Sequence, residues 1–149
     1  MIQFVKYGIA GGFATLIHII LFHLAAWKIF PALQERDAVV ILLGLQVTQV
    51  DIITRSLNSM LSNGVAFVFS VMVAYIANIY WVFEPGRHNK FVEISLFYLV
   101  SGISMILGTA IMGFLIRYFG IQTTIAFTAN IVTAVMINYF IRKFYIFKG

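Results

Sequence analysis

The chain has 149 residues, 62% of them hydrophobic and only 10% charged, with a mean hydropathy of +0.98. A soluble domain carries about a quarter charged residues, so this chain is too apolar to be solvated on all sides and reads as a membrane protein. The net charge of +5 does not point to nucleic acid, because the ten Lys and Arg form no contiguous patch and sit mainly at the ends of apolar runs. With no cysteine, disulfides and thiolate metal sites are excluded too.

Four stretches lack Lys, Arg, Asp and Glu: 7–27, 64–83, 94–116 and 121–141. Each is about 20 residues, which as a helix reaches about 30 Å and spans the hydrocarbon core. The expected architecture is one all-α membrane domain over 1–149 with four transmembrane helices. They run over about 4–30, 64–83, 91–116 and 121–147, with an outer connection at 31–63 and a cytoplasmic loop at 84–90. The first apolar run is too long for a signal-peptide core and no A-x-A site follows it, so it reads as a retained helix.

Helix 1 places Gly8, Gly11, Thr15 and His18 in one narrow stripe. Small residues let helix backbones approach in lipid, so the glycines and Thr15 read as packing. His18 is an ionisable group near mid-membrane, a position where such groups face the bundle interior and have partners. It is either a functional group or a neutral hydrogen-bonding histidine. His23, about 140° further around the helix, reads as structural.

In the connection, Pro31 ends the first helix and QERD (34–37) is a polar turn. The run 38–50 is apolar but too short to span, hence interfacial or re-entrant, a structural cover or a functional lid. Asp51 and Arg55 stand at i, i+4, a spacing that permits an ion pair on a helix surface. Helix 3 carries Ser95, Gly102, Thr109 and Gly113 along a stripe that reads as packing. Helix 4 carries Asn130 and Asn138, amides that need partners in lipid.

The end of the chain echoes an earlier stretch. At an offset of 64, Val71/Val135, Met72/Met136, Tyr75/Tyr139 and Phe83/Phe147 are identical, and Trp81/Tyr145 keeps an aromatic. The chain therefore reads as two repeated helical hairpins in the same orientation, an architecture some transporters use. Ala74, Asn78 and Trp81 match Asn138, Arg142 and Tyr145, each trio on one helix face. Arg142 and Lys143 read either as anchors that snorkel to the headgroups or as a phosphate site. In the second reading Arg142 grips two oxygens at once, with Asn138 one turn deeper, and suits a lipid phosphate with a sugar head.

With both termini and 84–90 in the cytoplasm, that side holds six basic residues (Lys6, Arg87, Lys90, Arg142, Lys143, Lys148) against four outside (Lys28, Arg36, Arg55, Arg117), the expected bias. No Asp or Glu lies mid-span, which weakens a proton-driven small-solute exporter. No paired carboxylates, nucleophile triad, metal cluster or phosphate-binding glycine loop is visible, so neither enzyme, metal nor cofactor is expected.

The order FVKYGIAGGFATLIHIILF, then NIYWVF, then a second hairpin ending NYFIRKFYIF, resembles the GtrA-like family of small four-helix membrane proteins. The resemblance covers nearly all of the chain except 31–62, a connection longer than the family's usual one. It places the family's helix-1 glycine on Gly12, and on His18 a position where many members have aspartate. It places the Asn-x-x-Trp-x-Phe ending on Asn78, Trp81 and Phe83, with a second copy on Arg142, Tyr145 and Phe147. The implied role is movement of a polyprenyl-phosphate-linked monosaccharide between leaflets of the inner (cytoplasmic) membrane, for polysaccharide or glycan modification, beside membrane glycosyltransferases. The rival is a scaffold that anchors a glycosyltransferase and transports nothing. Four short helices enclose little volume, so a homo-oligomer is expected.

Overall fold

The structure, a computed structural model, describes residues 2–77, 80–81 and 90–141. Five helices follow one another: α1 (Ile2–Lys28), α2 (Ala38–Leu43), α3 (Ile52–Ala77), α4 (Lys90–Phe119) and α5 (Thr123–Ile141). The described residues contain no strand. Three helices are long and apolar enough to cross a membrane, through Gly8–Lys28, Ile52–Ala77 and Ser101–Phe119, while the apolar stretch of α5, Thr123–Ala134, is shorter. The protein is an all-α membrane protein. The closest backbone neighbours are α1 with α3, α3 with α4, and α4 with α5.

Each helix end has a local cause. Beyond α1 the amides of Ile29 and Phe30 bond to the Ala25 carbonyl, and that of Ala32 to the Ala26 carbonyl. Pro31, which has no N–H, stops the helix there. The run 38–50 forms only the six-residue α2, closed by Gly44 at φ +61°. Val40 alone is buried, and Ile41, Leu42 and Leu43 face outward. The indole N–H of Trp27 holds the following segment by donating to the Gln46 carbonyl.

α3 begins at Ile52, well before the start at 64 read from the sequence. Asp51 caps it: its carboxylate accepts from the amides of Ile53 and Thr54 and from the Thr54 hydroxyl. The Thr54 hydroxyl first, then these amides, hold the Asp51 carboxyl below its ordinary value. The cap is therefore complete at neutral pH and is lost only as pH falls through that lowered value. The expected Asp51–Arg55 pair does not form, because the cap occupies the carboxylate and Arg55 turns inward. Arg55 donates to Gln34 Oε1 and to the Ile121 carbonyl, both at the end of the bundle that holds the α4–α5 turn. Residues 56–63 carry no charge, but five of the eight are Ser or Asn, and their polarity makes the segment read as connection. In the structure Ser56, Asn58, Ser59 and Asn63 find partners at the Gly113, Pro31 and Arg55 carbonyls and the Thr109 hydroxyl, so the helix runs through them.

Between α4 and α5, Gly120 (φ +62°) makes the tight reversal, its amide bonding to the Ile116 carbonyl and the Ile121 amide reaching Leu115. The Thr124 amide, in the first turn of α5, donates to Asp37 Oδ1 at 2.8 Å, while Asp37 Oδ2 accepts from the Gln34 amide at 2.7 Å. A buried carboxylate at a helix N-terminus faces unpaired N–H groups and the positive end of the helix dipole. The Thr123 hydroxyl donates to the Ala32 carbonyl and Arg36 to that of Gly120. The 31–37 segment is thus clasped to the α4–α5 turn.

The core lies beneath this clasp. Phe22, Ala26, Ala32, Leu33, Val40, Ala66, Met112, Ile116, Ala126 and Phe127 form one buried cluster. Phe22 and Phe127 stack face to face at 3.7 Å between centroids. Two glycines permit close helix approach: a Cβ on Gly108 would fall 2.2 Å from Asn130 Oδ1 and 3.0 Å from its carbonyl oxygen, and one on Gly113 would meet Met60 Sδ at 2.7 Å. Gly102 has nothing within 4 Å.

These distances order three substitutions. Gly108→Ala is expected to cost about 1–3 kcal/mol, the range for overpacking, because α5 backbone blocks the new methyl. Gly113→Ala should cost less, since the flexible Met60 side chain can yield, and Gly102→Ala should be neutral. Unfolding of the three variants in mixed micelles checks the order.

Candidate functional site: a polar cluster shared by four helices

α1 turns Ala10, Ala14, Phe22 and Ala26 inward, at spacings of four and eight. His18 occupies the missing position of that series, half-buried near the middle of the helix. Its Nε2–H donates to Asn63 Oδ1 at 2.8 Å, and its Nδ1 lies 2.8 Å from Ser70 Oγ. Phe127 of α5 lies parallel to the imidazole, 5.7 Å between ring centres.

Asn63, on α3 and fully buried, is the hub. Its Nδ2 donates to Thr109 Oγ1 of α4 at 2.6 Å, and its Oδ1 also accepts from Asn130 Nδ2 of α5 at 3.1 Å. In this orientation of the Asn63 amide its oxygen faces His18 and Asn130 and its nitrogen faces Thr109. Asn63 accepts the imidazole N–H and so places the proton of neutral His18 on Nε2. Asn130 is 4% exposed and its Oδ1 has no hydrogen-bond partner among the described residues; nor have the buried hydroxyls of Ser62 and Ser104. The middle of the bundle therefore holds unused hydrogen-bonding capacity, mainly for donors. His23 stands apart from the cluster, its Nδ1–H bonded to the Ile19 carbonyl and its ring edge-on to Phe22 and Phe127.

Of the residues singled out by sequence, the structure brings His18, Thr109 and Asn130 together. Gly8, Gly11 and Gly12 do not form the expected packing seam: all three are exposed, with no atom within 4 Å of where a Cβ would stand. The packing face of α1 is the alanine series instead: around the helix from Ala10, Gly11 stands about 100° away and Gly8 and Gly12 about 160°. Thr15 is exposed and bonds its own helix at the Gly11 carbonyl, and Trp81 is 46% exposed. Asn78, Phe83, Arg142, Lys143, Tyr145 and Phe147, with the side chain of Asn138, lie outside the described residues. Sequence reasoning missed Asn63, Ser70 and Gly108. Asn63 preceded the expected start of its span, although the Asp51 cap, with Thr54 three residues on, signals the true one. Among the described residues no group of His, Asp and Glu could hold a metal ion.

Asn63→Ala would strip partners from His18, Thr109 and Asn130 at once. An expected loss of about 1–3 kcal/mol follows from leaving buried groups unpaired. Thr109→Val removes one bond and should cost about 0.6 kcal/mol, the average for side-chain hydrogen bonds in bilayers, and no more than about 1.7. Equal losses in an unfolding titration would show that Asn63 is no hub.

The family profile described as GtrA/DPMS, transmembrane domain, matches residues 6–147. Comparison with curated proteins and with solved structures returns no significant match to either. The profile runs through every helix that contributes to the polar cluster. The chain belongs to the GtrA/DPMS transmembrane-domain family, a membrane protein of glycan-precursor handling.

Proposed function

We propose that this protein moves a polyprenyl-phosphate-linked monosaccharide across the cytoplasmic membrane for polysaccharide or glycan modification, and that it catalyses no covalent step. In this reading it has four transmembrane helices arranged as two repeated hairpins, α1 with α3 and α4 with α5, with both termini in the cytoplasm. The observation that carries the reading is the polar cluster of His18, Asn63, Ser70, Thr109 and Asn130. A polar set drawn from all four long helices is costly in hydrocarbon, and a family that handles glycan precursors gives it a use. The headgroup meets hydroxyls and amides on its way through, while the polyprenyl tail stays in lipid. At the cytoplasmic end Arg142, with Asn138, Asn78 and Lys143 near it in the sequence pattern, receives the phosphate. Membrane glycosyltransferases act before and after the movement, and the chain works as a homo-oligomer.

The sealed outer half favours a second reading, a membrane scaffold for a glycosyltransferase. The deciding assay follows a short-chain lipid-phosphate sugar between leaflets of vesicles that contain this protein alone. Acceleration over empty vesicles supports transport; folded protein without acceleration supports the scaffold. In the same vesicles, Arg142→Lys should weaken binding of the lipid phosphate by about 1–2 kcal/mol, because lysine lacks the planar fork. Full binding would reduce Arg142 to an anchor. The topology has its own check: single cysteines introduced by Asn89→Cys and Gln34→Cys should label from opposite sides of intact cells. Labelling of both from outside would overturn it.

A further inference from the structure

One hydroxyl in the cluster has two acceptors. Ser70 Oγ lies 2.8 Å from His18 Nδ1 and 3.2 Å from the Phe67 carbonyl. With neutral His18, whose proton is fixed on Nε2 by Asn63, the Ser70 hydrogen turns to Nδ1. When Nδ1 gains a proton, that hydrogen turns to the Phe67 carbonyl, and Ser70 Oγ becomes the acceptor of Nδ1–H. Neither state leaves a ring nitrogen or the hydroxyl unpaired. Most buried histidines lack this second arrangement, and for them a proton costs a hydrogen bond as well as desolvation.

Among the described residues the ring has no counter-charge against it. From α3 it faces Asn63 and Ser70, from α5 the ring of Phe127, and through Asn63 it reaches Thr109 of α4 and Asn130 of α5. None of these titrates in the physiological range. On its own helix the nearest titratable group is His23, against the edge of the same Phe127 ring. An imidazolium here is prepared by hydrogen bonding but electrostatically unpaired, and an anion that arrives beside it supplies the missing partner.

We infer that His18 is a proton-binding counter-ion site for a phosphodiester headgroup, taking up one proton at Nδ1 as the anion enters and releasing it as the anion leaves. This rests on the transport reading above and adds its charge balance: the ring gains +1, the phosphodiester carries −1, and the pair passes the middle of the bundle neutral. In the occupied state Nδ1–H donates to a phosphate oxygen in place of Ser70 Oγ, and the Ser70 hydrogen stays on the Phe67 carbonyl. By linkage, the anion raises the proton affinity of His18 by the factor by which the proton raises that of the anion. Binding of the diester therefore tightens as pH falls through the titration of His18.

The test uses the full chain in lipid nanodiscs with nitrogen-15-labelled histidine, the His18 signal being assigned by its absence in His18→Gln. The probe is a short-chain prenyl phosphoryl hexose, whose charge is constant between about pH 5 and 8, with the matching prenol as neutral control. The phosphodiester should raise the His18 titration midpoint by about one pH unit, a tenfold gain in proton affinity, while the prenol and the His23 signal stay unmoved. His18→Gln keeps a donor for Asn63 but binds no proton, and should hold the probe with pH-independent affinity at least tenfold weaker on the acid side. An equal midpoint with phosphodiester and prenol would overturn the inference, as would movement of His23 instead. Leaflet movement measured in parallel separates the two readings. Transport with an uncoupled His18 overturns this site and leaves transport standing; a coupled His18 without transport does the reverse.

Discussion

The hydrocarbon core offers no water to a stray N–H or O–H, so any polar side chain placed there must find its partner in the protein. In this chain the constraint converges on Asn63. One amide group accepts from His18 and Asn130 and donates to Thr109, and so ties α3 to α1, α5 and α4 in a single layer. The neighbouring geometry follows from it. Gly108 must lack a side chain because Asn130, drawn toward Asn63, occupies the space where a Cβ would stand. The imidazole of His18, oriented by Asn63 and Ser70, lies parallel to Phe127, and Phe127 in turn stacks on Phe22.

The end of the bundle at the α4–α5 turn meets the same constraint with charges. Asp37 is fully buried yet accepts from two backbone amides, one of them in the first turn of α5. Arg55, also buried, spends its donors on the Gln34 amide oxygen and the Ile121 carbonyl. Neither forms an ion pair with the other among the described contacts. Groups of the connections and of one helix end serve instead: the amides of Gln34 and, in the first turn of α5, Thr124 for the carboxylate, and the Gln34 side chain and the Ile121 carbonyl for the guanidinium. The charges thus close the bundle by finishing its helices.

Hydropathy made the helices legible, and Pro31 and Gly120 marked two of the ends. What stayed hidden depended on partners distant in sequence. Residues 56–63 looked like connection because nothing near them in the chain shows that the carbonyls of Gly113 and Pro31 and the hydroxyl of Thr109 will receive Ser56, Asn58 and Asn63. Asn63 was lost with that segment. Residue spacing placed Gly8, Gly11 and His18 on one stripe, but a stripe does not say which flank of it meets the neighbouring helix. The alanines at 10, 14 and 26 carry that information, and small apolar residues in an apolar helix are a faint signal. His18 and Asn130 were legible because a polar group in the middle of a span must be answered by something.

The hydrogen bonds of the cluster divide unevenly between the α1–α3 pair and the α4–α5 pair. Both bonds of His18 go to α3, so the histidine and its rotor Ser70 travel with the α1–α3 pair as one body. Among the described residues the links from Asn63 to Thr109 and Asn130, from the Tyr98 hydroxyl to the Val68 carbonyl and from the Ser56 hydroxyl to the Gly113 carbonyl cross to the other pair along the bundle, whereas the clasp crosses through Asp37, Arg55, Thr123 and Arg36. Side-chain hydrogen bonds in a bilayer average about 0.6 kcal/mol and reach at most about 1.7, and those that part along the bundle are between neutral groups. Parting the pairs at the clasp strips partners from two buried charged residues, Asp37 and Arg55. If the protein moves a lipid-linked sugar as proposed, the movement that admits the headgroup is a rocking about the clasp, which separates Asn63 from α4 and α5 while leaving His18 and Ser70 together. In that arrangement the group freed to meet the headgroup would be the Oδ1 of Asn130, an acceptor for sugar hydroxyls, and the group still poised beside it would be the imidazole.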